Sequence, residues 1–364
     1  MAKRFYDLYP LLTDFNHLYL AYRKAARGKR KQPEVAGFEF YLERNLFQLQ
    51  AELQAQVYRP GSYQSFYIRD PKRRLISAAP FRDRVVHHAL YSVIEPLFER
   101  TFIADSYANR VGKGTHAALD RAQQLATIYP YVLQCDIVQF FPSVDHALLE
   151  GILARKIGDA RVLWLCRQIL ESGAGVLSEQ YDMVHFPGDD LFAALRPRGL
   201  PIGNLTSQFW ANVFLNELDQ FIKRALQVSG YARYVDDFLL FSDGKRQLWQ
   251  WKAALQGKLA ELRLTLHDAS STVYPVANGV PFLGFRLYPT HRRLKRRNGV
   301  AFQRRFKRLR WQYVQGRISL EQLLLSVRSW QAHAVHGDTW GLRQALLNQP
   351  LHSPPAGPVG PKTE

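Results

Sequence analysis

The chain has 364 residues, of which 49 are Lys or Arg and 31 are Asp or Glu, for a formal charge of +18. With 47% hydrophobic and 13% aromatic residues, it can pack two or three subdomains, which excludes wholesale disorder. So large a positive charge points to a polyanionic partner, either nucleic acid or an acidic membrane surface, while two cysteines, Cys135 and Cys166, exclude a disulfide framework.

The start, Met-Ala-Lys-Arg-Phe-Tyr-Asp, lacks the apolar core of a signal peptide. Residues 14–58 read as helices, with Leu42, Leu46, Leu49 and Leu53 at helical spacing around a basic run, Arg23 to Lys31. Residues 63–80 read as extended and carry Lys72, Arg73 and Arg74. A helix is expected over 81–98, with Val85, Ala89, Val93 and Leu97 on one face. Tyr131 to Cys135 reads as a short buried strand ending at Asp136, and helical patterns follow over 145–171. Residues 172–198 are weakly periodic and read as a surface insertion. The longest uncharged run, Gly199 to Asn216, is too polar for a membrane span. A helix over 205–226 leads to a hairpin: Ala232–Val235, then Asp236-Asp237, then Phe238–Phe241. Another helix covers 245–263, and a further hairpin is expected over 264–287 with Gly279 at its turn. Residues 290–348 read as helical and basic; 286–310 hold eleven Lys or Arg and no acid. The Pro/Gly-rich tail after Asn348 is expected to be disordered. Helix-rich flanks around a few acid-bearing strands suggest an α+β fold with an antiparallel sheet.

The sharpest feature is Tyr234-Val235-Asp236-Asp237 between two apolar strands. Acids pinned in a buried hairpin need a counter-charge, and a divalent cation is the natural one. If the strand ending at Asp136 lies beside the hairpin, three carboxylates converge. That donor set suits two Mg²⁺ ions and in-line phosphoryl transfer.

At these residues the chain resembles a known family. QCDIVQFFPSVD, RGLPIGNLTSQFWANVFLNELD and RYVDDFLLF resemble, in chain order, the three central palm motifs of reverse transcriptases. RRLISAAPFRDRVVHHAL and SYANRVGKGTHAAL resemble the fingers motifs, and PFLGFRLYPTHRRLKRR the primer grip and thumb entry. The likeness spans roughly residues 20–345. It is greatest to the enzymes of diversity-generating retroelements, because an aliphatic residue, Ile202, stands where many retroviral and group II enzymes have Gln. An amide there can hydrogen-bond the incoming nucleotide, whereas Ile offers only contact.

The resemblance implies a right-hand polymerase. Its parts would be an N-terminal basic helical extension (1–62), fingers (63–130), a palm (131–285) with the 172–198 insertion, a basic helical thumb (286–348) and a tail (349–364). It implies Asp136, Asp236 and Asp237 as catalytic metal ligands, with the Ile137 carbonyl contributing. The cofactor would be two Mg²⁺ ions, replaceable by Mn²⁺ in vitro. Arg74 and Arg110 would hold the triphosphate or template, with Lys72, Arg73, Arg82 and Lys113 as weaker candidates. Phe141 would exclude a ribose 2′-hydroxyl, Ile202, Gly203 and Gln208 would line the nucleotide site, and Ser207 matches the same palm segment. Phe282, Leu283 and Gly284 would form the primer grip. Arg292, Arg293, Lys295, Arg296, Arg297, Arg304 and Arg305 would track phosphates without reading sequence. The Lys that related enzymes often carry after the hairpin is missing from LTLHDASSTVYPV, where His267 could substitute in protonating pyrophosphate or water could supply the proton.

The implied partners are an RNA template, an RNA/DNA primer-template, dNTPs and an oligomer of a small helical accessory protein, with no membrane. The setting would be the cytoplasm of a bacterial or phage-infected cell. Two rival readings remain: a group II-like, CRISPR-associated or phage-defence reverse transcriptase, and an idle RNA-binding scaffold. The intact acids count against the scaffold.

Overall fold

A computed structural model describes residues 3–69 and 73–348; Lys72 and the tail after Asn348 lie outside the described residues. Four helices open the chain: α1 (Tyr9–Leu12), α2 (Phe15–Ala26), α3 (Pro33–Phe40) and α4 (Leu42–Gln54). The Asp14 side chain caps α2 by accepting from the His17 N–H. Pro33 opens α3, where an N–H would have no helical partner. Leu18, Tyr22, Leu46, Leu49 and Leu53 are buried in one core with the apolar face of α5 (Phe81–Glu99). Before α5, β1 (Gln64–Arg69) and β2 (Arg73–Ala78) form an exposed antiparallel hairpin.

After α6 (Thr115–Ile128) come β3 (Tyr131–Cys135), α7 (Phe140–Ser143), α8 (His146–Ala154) and α9 (Ala160–Gly173). An irregular stretch leads to α10 (Leu205–Gln220), which ends in a π-helical turn over Phe221–Ala225. Then follow β4 (Gly230–Tyr234), β5 (Asp237–Ser242), α11 (Lys245–Glu261) and β6 (Thr272–Pro275). These strands form an antiparallel sheet of order β4-β5-β3-β6. Strand alternation divides its side chains between two cores. Leu133, Cys135, Phe238 and Leu240 join the large helical core, whereas Val132, Ala232, Leu239 and Phe241 pack with α6.

The hairpin expected over 264–287 is not formed. Val273 and Tyr274 of β6 pair instead with Leu133 and Val132, as a fourth strand of the main sheet. After Pro275 a 3-10 turn and Gly279, at φ 81°, redirect the chain. β7 (Val280–Phe282) and β8 (Phe285–Leu287) then make their own hairpin around Leu283-Gly284, and β9 (Arg292–Leu294) completes a separate sheet. The C-terminal region is therefore a strand followed by α12 (Arg296–Val314), α13 (Leu320–Ala334) and α14 (Trp340–Leu347). Phe302, Phe306, Leu323, Val327 and Leu346 give these helices a small core of their own.

One polar interaction lies inside the large core. Arg233 of β4 and Asp219 of α10 are both fully buried, joined at 2.7 and 2.5 Å. The guanidinium also donates to Ser106 Oγ at 2.9 Å and to the Val235 carbonyl at 3.1 Å. Asp219 accepts a further bond from the Tyr231 hydroxyl at 2.8 Å. Removing one partner would leave the other charge buried and uncompensated. Asp219→Ala is therefore expected to lose about 3–5 kcal/mol of stability, measured as a lowered midpoint in urea denaturation.

Candidate active site

The acid pair sits where two strands turn. Tyr234 pairs with Asp237, leaving Val235 and Asp236 as the loop. Val235 holds φ 57°, a strained conformation for a β-branched residue, and its carbonyl is held by Arg233. Cys135 is paired with Phe238, so Asp136, one residue further on, comes opposite Asp237. The expected convergence of strands is present: Asp136, Asp236 and Asp237 line one open cleft of about 1420 Å³.

The three carboxylates feel one another. Burial, then the Asp136 charge, pushes Asp236 up to about 6 against the pull of Arg74 and Arg233. Burial, then Asp136 and Asp236, pushes Asp237 up to about 7, partly offset by Lys295 and a hydrogen bond from Gln134. Asp237 Oδ1 is buried without a hydrogen-bond partner. Among the described residues, no three His, Cys, Asp or Glu side chains are gathered into a ready-made metal cage. The donor set nonetheless fits a hard divalent cation. Its oxygens belong to half-buried carboxylates that repel one another, and one oxygen is unpartnered.

Three regions meet in this cleft: Arg74 from β2, the acids from the main sheet, and Lys295, Arg297 and Arg305 from the C-terminal region. Leu283 and Gly284 form its rim at the β7–β8 turn, while Phe282 is buried behind them. Ile137 lines the wall and is bridged to Leu266. Phe141 is half-buried against the large core and stacks edge-on with Phe140.

Ile202 and Gly203 belong to a strap that ties the main body to the base of the β1–β2 hairpin. The Ile202 carbonyl accepts from the Ser77 N–H at 2.8 Å, and the Asn204 side chain bonds Ala79 N and Ser77 O. Gly203 has φ 114°, and a Cβ there would lie 2.9 Å from Ile76 Cγ2, so the strap needs glycine. Gln208 is half-buried in the first turn of α10.

Of the other candidates, all but Arg73 lie away from the cleft. Arg110 is not brought to it: its guanidinium pairs with Glu99 at 2.6 Å and donates to the carbonyls of Ile103 and Ser106. Arg82 pairs with Glu52 and Lys113 donates to the Ala104 carbonyl. Arg292 pairs with Asp120 at 2.5 Å, while Arg293, Arg296 and Arg304 are exposed outside the cleft. His267 is exposed; its backbone N–H donates to the Asp136 carbonyl at 2.8 Å. Arg73 lines the cleft and stacks on Tyr67 at 3.7 Å.

Sequence reasoning passed over Gln134, the one polar side chain inside YVLQC. It donates to the Pro281 carbonyl and accepts from the Tyr274 hydroxyl, and it lines the same cleft as Asp237. A lone amide in an apolar strand was the available signal. It passed over Arg233 as well, whose burial is invisible to local patterning.

The raised carboxylates have a consequence for stability. A folded-state value above the unfolded one gives stability that is present at low pH and lost as pH rises through about 7 for Asp237. With divalent ions chelated, Asp237→Asn is expected to gain on the unmutated chain by on the order of 1–2 kcal/mol between pH 5 and pH 8. Thermal unfolding of both proteins at the two pH values measures it.

The family model described as reverse transcriptase (RNA-dependent DNA polymerase) matches residues 68–287. Protein YkfC of Escherichia coli (strain K12) is 28% identical over 279 residues, 66% of this chain and 70% of its own length. The group II intron-encoded protein LtrA of Lactococcus lactis subsp. cremoris is 25% identical over 226 residues, 60% of this chain and 35% of its own length. A solved telomerase from Candida albicans, in complex with a fragment of telomeric RNA, aligns with 81% of this chain and 58% of that one, at TM-score 0.44 and 13% identity. This chain thus spans about a third of LtrA and less than two thirds of the telomerase chain. Among the described residues, no helix is long and apolar enough to cross a membrane. The family match, covering more than half of the 364 residues, settles the class: the chain belongs to the reverse transcriptases, the RNA-directed DNA polymerases.

Proposed function

We propose that this reverse transcriptase makes cDNA in a diversity-generating retroelement, with fingers over 63–130, palm over 131–285 and thumb over 286–348. The observation that carries the catalytic assignment is the meeting of Asp136, Asp236 and Asp237 on one wall, with Arg74 and Lys295 beside them. The reaction joins the primer 3′-oxygen to the α-phosphorus of a dNTP and breaks the bond to the bridging oxygen, releasing pyrophosphate. Bound Mg²⁺ supplies a lowered pKa for the 3′-hydroxyl and neutralises phosphate charge. Asp136 and Asp236 are its main ligands, and Asp237, with the Ile137 carbonyl, completes the donor set. Arg74 carries a guanidinium from the exposed hairpin toward the triphosphate. Phe141 selects the deoxy sugar by filling the place of a 2′-hydroxyl. Lys295, Arg297 and Arg305 face the cleft and hold the primer–template backbone by charge. Leu283 and Gly284 meet the primer at the opposite rim.

Ile202 supports the retroelement reading. It stands in a strap anchored by its own backbone carbonyl, and by resemblance an aliphatic side chain there takes the place of an amide beside the incoming base pair. Loss of that hydrogen bond loosens base selection. An accessory helical oligomer belongs to this reading by resemblance. A second reading, a group II-like enzyme, is favoured by the likeness to LtrA.

Asp236→Ala is expected to reduce primer extension on an RNA template by on the order of 10³-fold or more. Equal product from both proteins would remove the catalytic assignment. Ile202→Gln is expected to lower misincorporation opposite template adenine severalfold. An unchanged adenine error rate in sequenced cDNA would favour the group II-like reading.

A further inference from the structure

The segment between α9 and α10 reaches back to the loop that connects Asp136 to Phe141. On its inner side this loop is held by backbone bonds: Val138 N to the Thr265 carbonyl at 2.9 Å, and the Asp136 carbonyl to His267 N at 2.8 Å. At Gln139 the chain turns through φ 45°, a left-handed conformation disfavoured for a non-glycine residue. Its side chain is tied by a reciprocal pair of bonds to one residue of the insertion. Gln139 Nε2 donates to Asp182 Oδ2 at 2.8 Å, and the Asp182 N–H donates to Gln139 Oε1 at 2.9 Å.

The insertion is itself anchored. The Tyr181 ring lies 4.2 Å from the Arg198 guanidinium. Further along, Asp189 and Asp145 share Arg196 and Arg263, which ties the insertion to the start of α8 and the end of α11. Arg196, with the Phe186 N–H, holds the Asp189 carboxyl down at about 2. Asp182 thus reaches from an anchored segment to Gln139, the residue just before α7, whose second residue is Phe141.

We propose that the Asp182–Gln139 clasp is a positioning device for the sugar-selecting side of the nucleotide pocket, and that this is the work of the 172–198 insertion. The proposal rests on the reading of Phe141 as the sugar gate. Without the clasp, the turn at Gln139 keeps only the bonds its carbonyl accepts from Ser143 N and Oγ, and the half-buried Phe141, two residues on, is less firmly placed than the buried Phe140. A gate displaced by a fraction of an ångström still leaves the carboxylates in place, because they sit on strands. The effect therefore falls on nucleotide KM and on sugar choice rather than on kcat.

The test compares dTTP with UTP incorporation on a poly(rA) template for Asp182→Ala, Asp182→Asn, Gln139→Ala and the Asp182→Ala/Gln139→Ala double variant. Phe141→Ala is run alongside, and rates are normalised to folded enzyme by circular dichroism. Asp182→Ala is expected to raise dTTP KM and to lower the preference for dTTP, each about five- to tenfold. Asp182→Asn keeps an acceptor for Gln139 Nε2 and should stay close to the unmutated enzyme. The double variant should be no worse than Gln139→Ala, because both changes break the same contact. Unchanged KM and sugar preference in Asp182→Ala, an Asn variant as impaired as the Ala variant, or losses that multiply in the double variant would each overturn the clasp. If Phe141→Ala also leaves sugar choice untouched, the gate assignment falls, and the clasp with it. If Phe141→Ala alters sugar choice and Asp182→Ala does not, only the clasp is lost.

Discussion

A buried ion pair sets the geometry on which this polymerase depends. Arg233 and Asp219 have no solvent exposure, and their bidentate contact fastens the acid-bearing hairpin to α10. Burying two charges is costly and contributes little net stability by itself. Its value is positional: the same guanidinium reaches Ser106 and the carbonyl of Val235, the strained residue at the hairpin tip. The carboxylates next to it repel one another, which acts to push the turn open. A rigid positive group beneath the turn opposes that tendency without entering the cleft.

Much of the architecture was legible in the residues. β3 and the acid-bearing hairpin stand out because short apolar strands end at charges that have no reason to be there unless they are used. The amphipathic helices were equally visible, since propensity, capping and period agree in them. Pairing between distant segments was not legible. Nothing local in Thr272–Pro275 distinguishes a strand that joins β3 from one that folds back on β7, and the structure takes the first course. Three-residue strands such as β9 are too short for periodicity to register.

The site divides along the same line. The carboxylates were legible because their chemistry is unusual for their surroundings. Arg110 was misleading because an arginine in a motif looks the same whether it meets a phosphate or, as here, Glu99. Gln139 and Asp182, 43 positions apart, and Lys295 beside Asp237, 58 positions from it, are contacts that only the folded chain creates.

The C-terminal helices hold Phe302, Phe306, Leu323, Val327 and Leu346 in a cluster separate from the two that flank the main sheet. A subdomain with its own interior can hold together as a unit, joined to the rest of the chain through contacts such as His336 on His116 and His333 on Phe285. The two sides of the cleft are therefore built differently. Its acidic wall belongs to the main sheet between the two larger cores, while Lys295, Arg297 and Arg305 on the basic wall belong to a unit whose interior is separate.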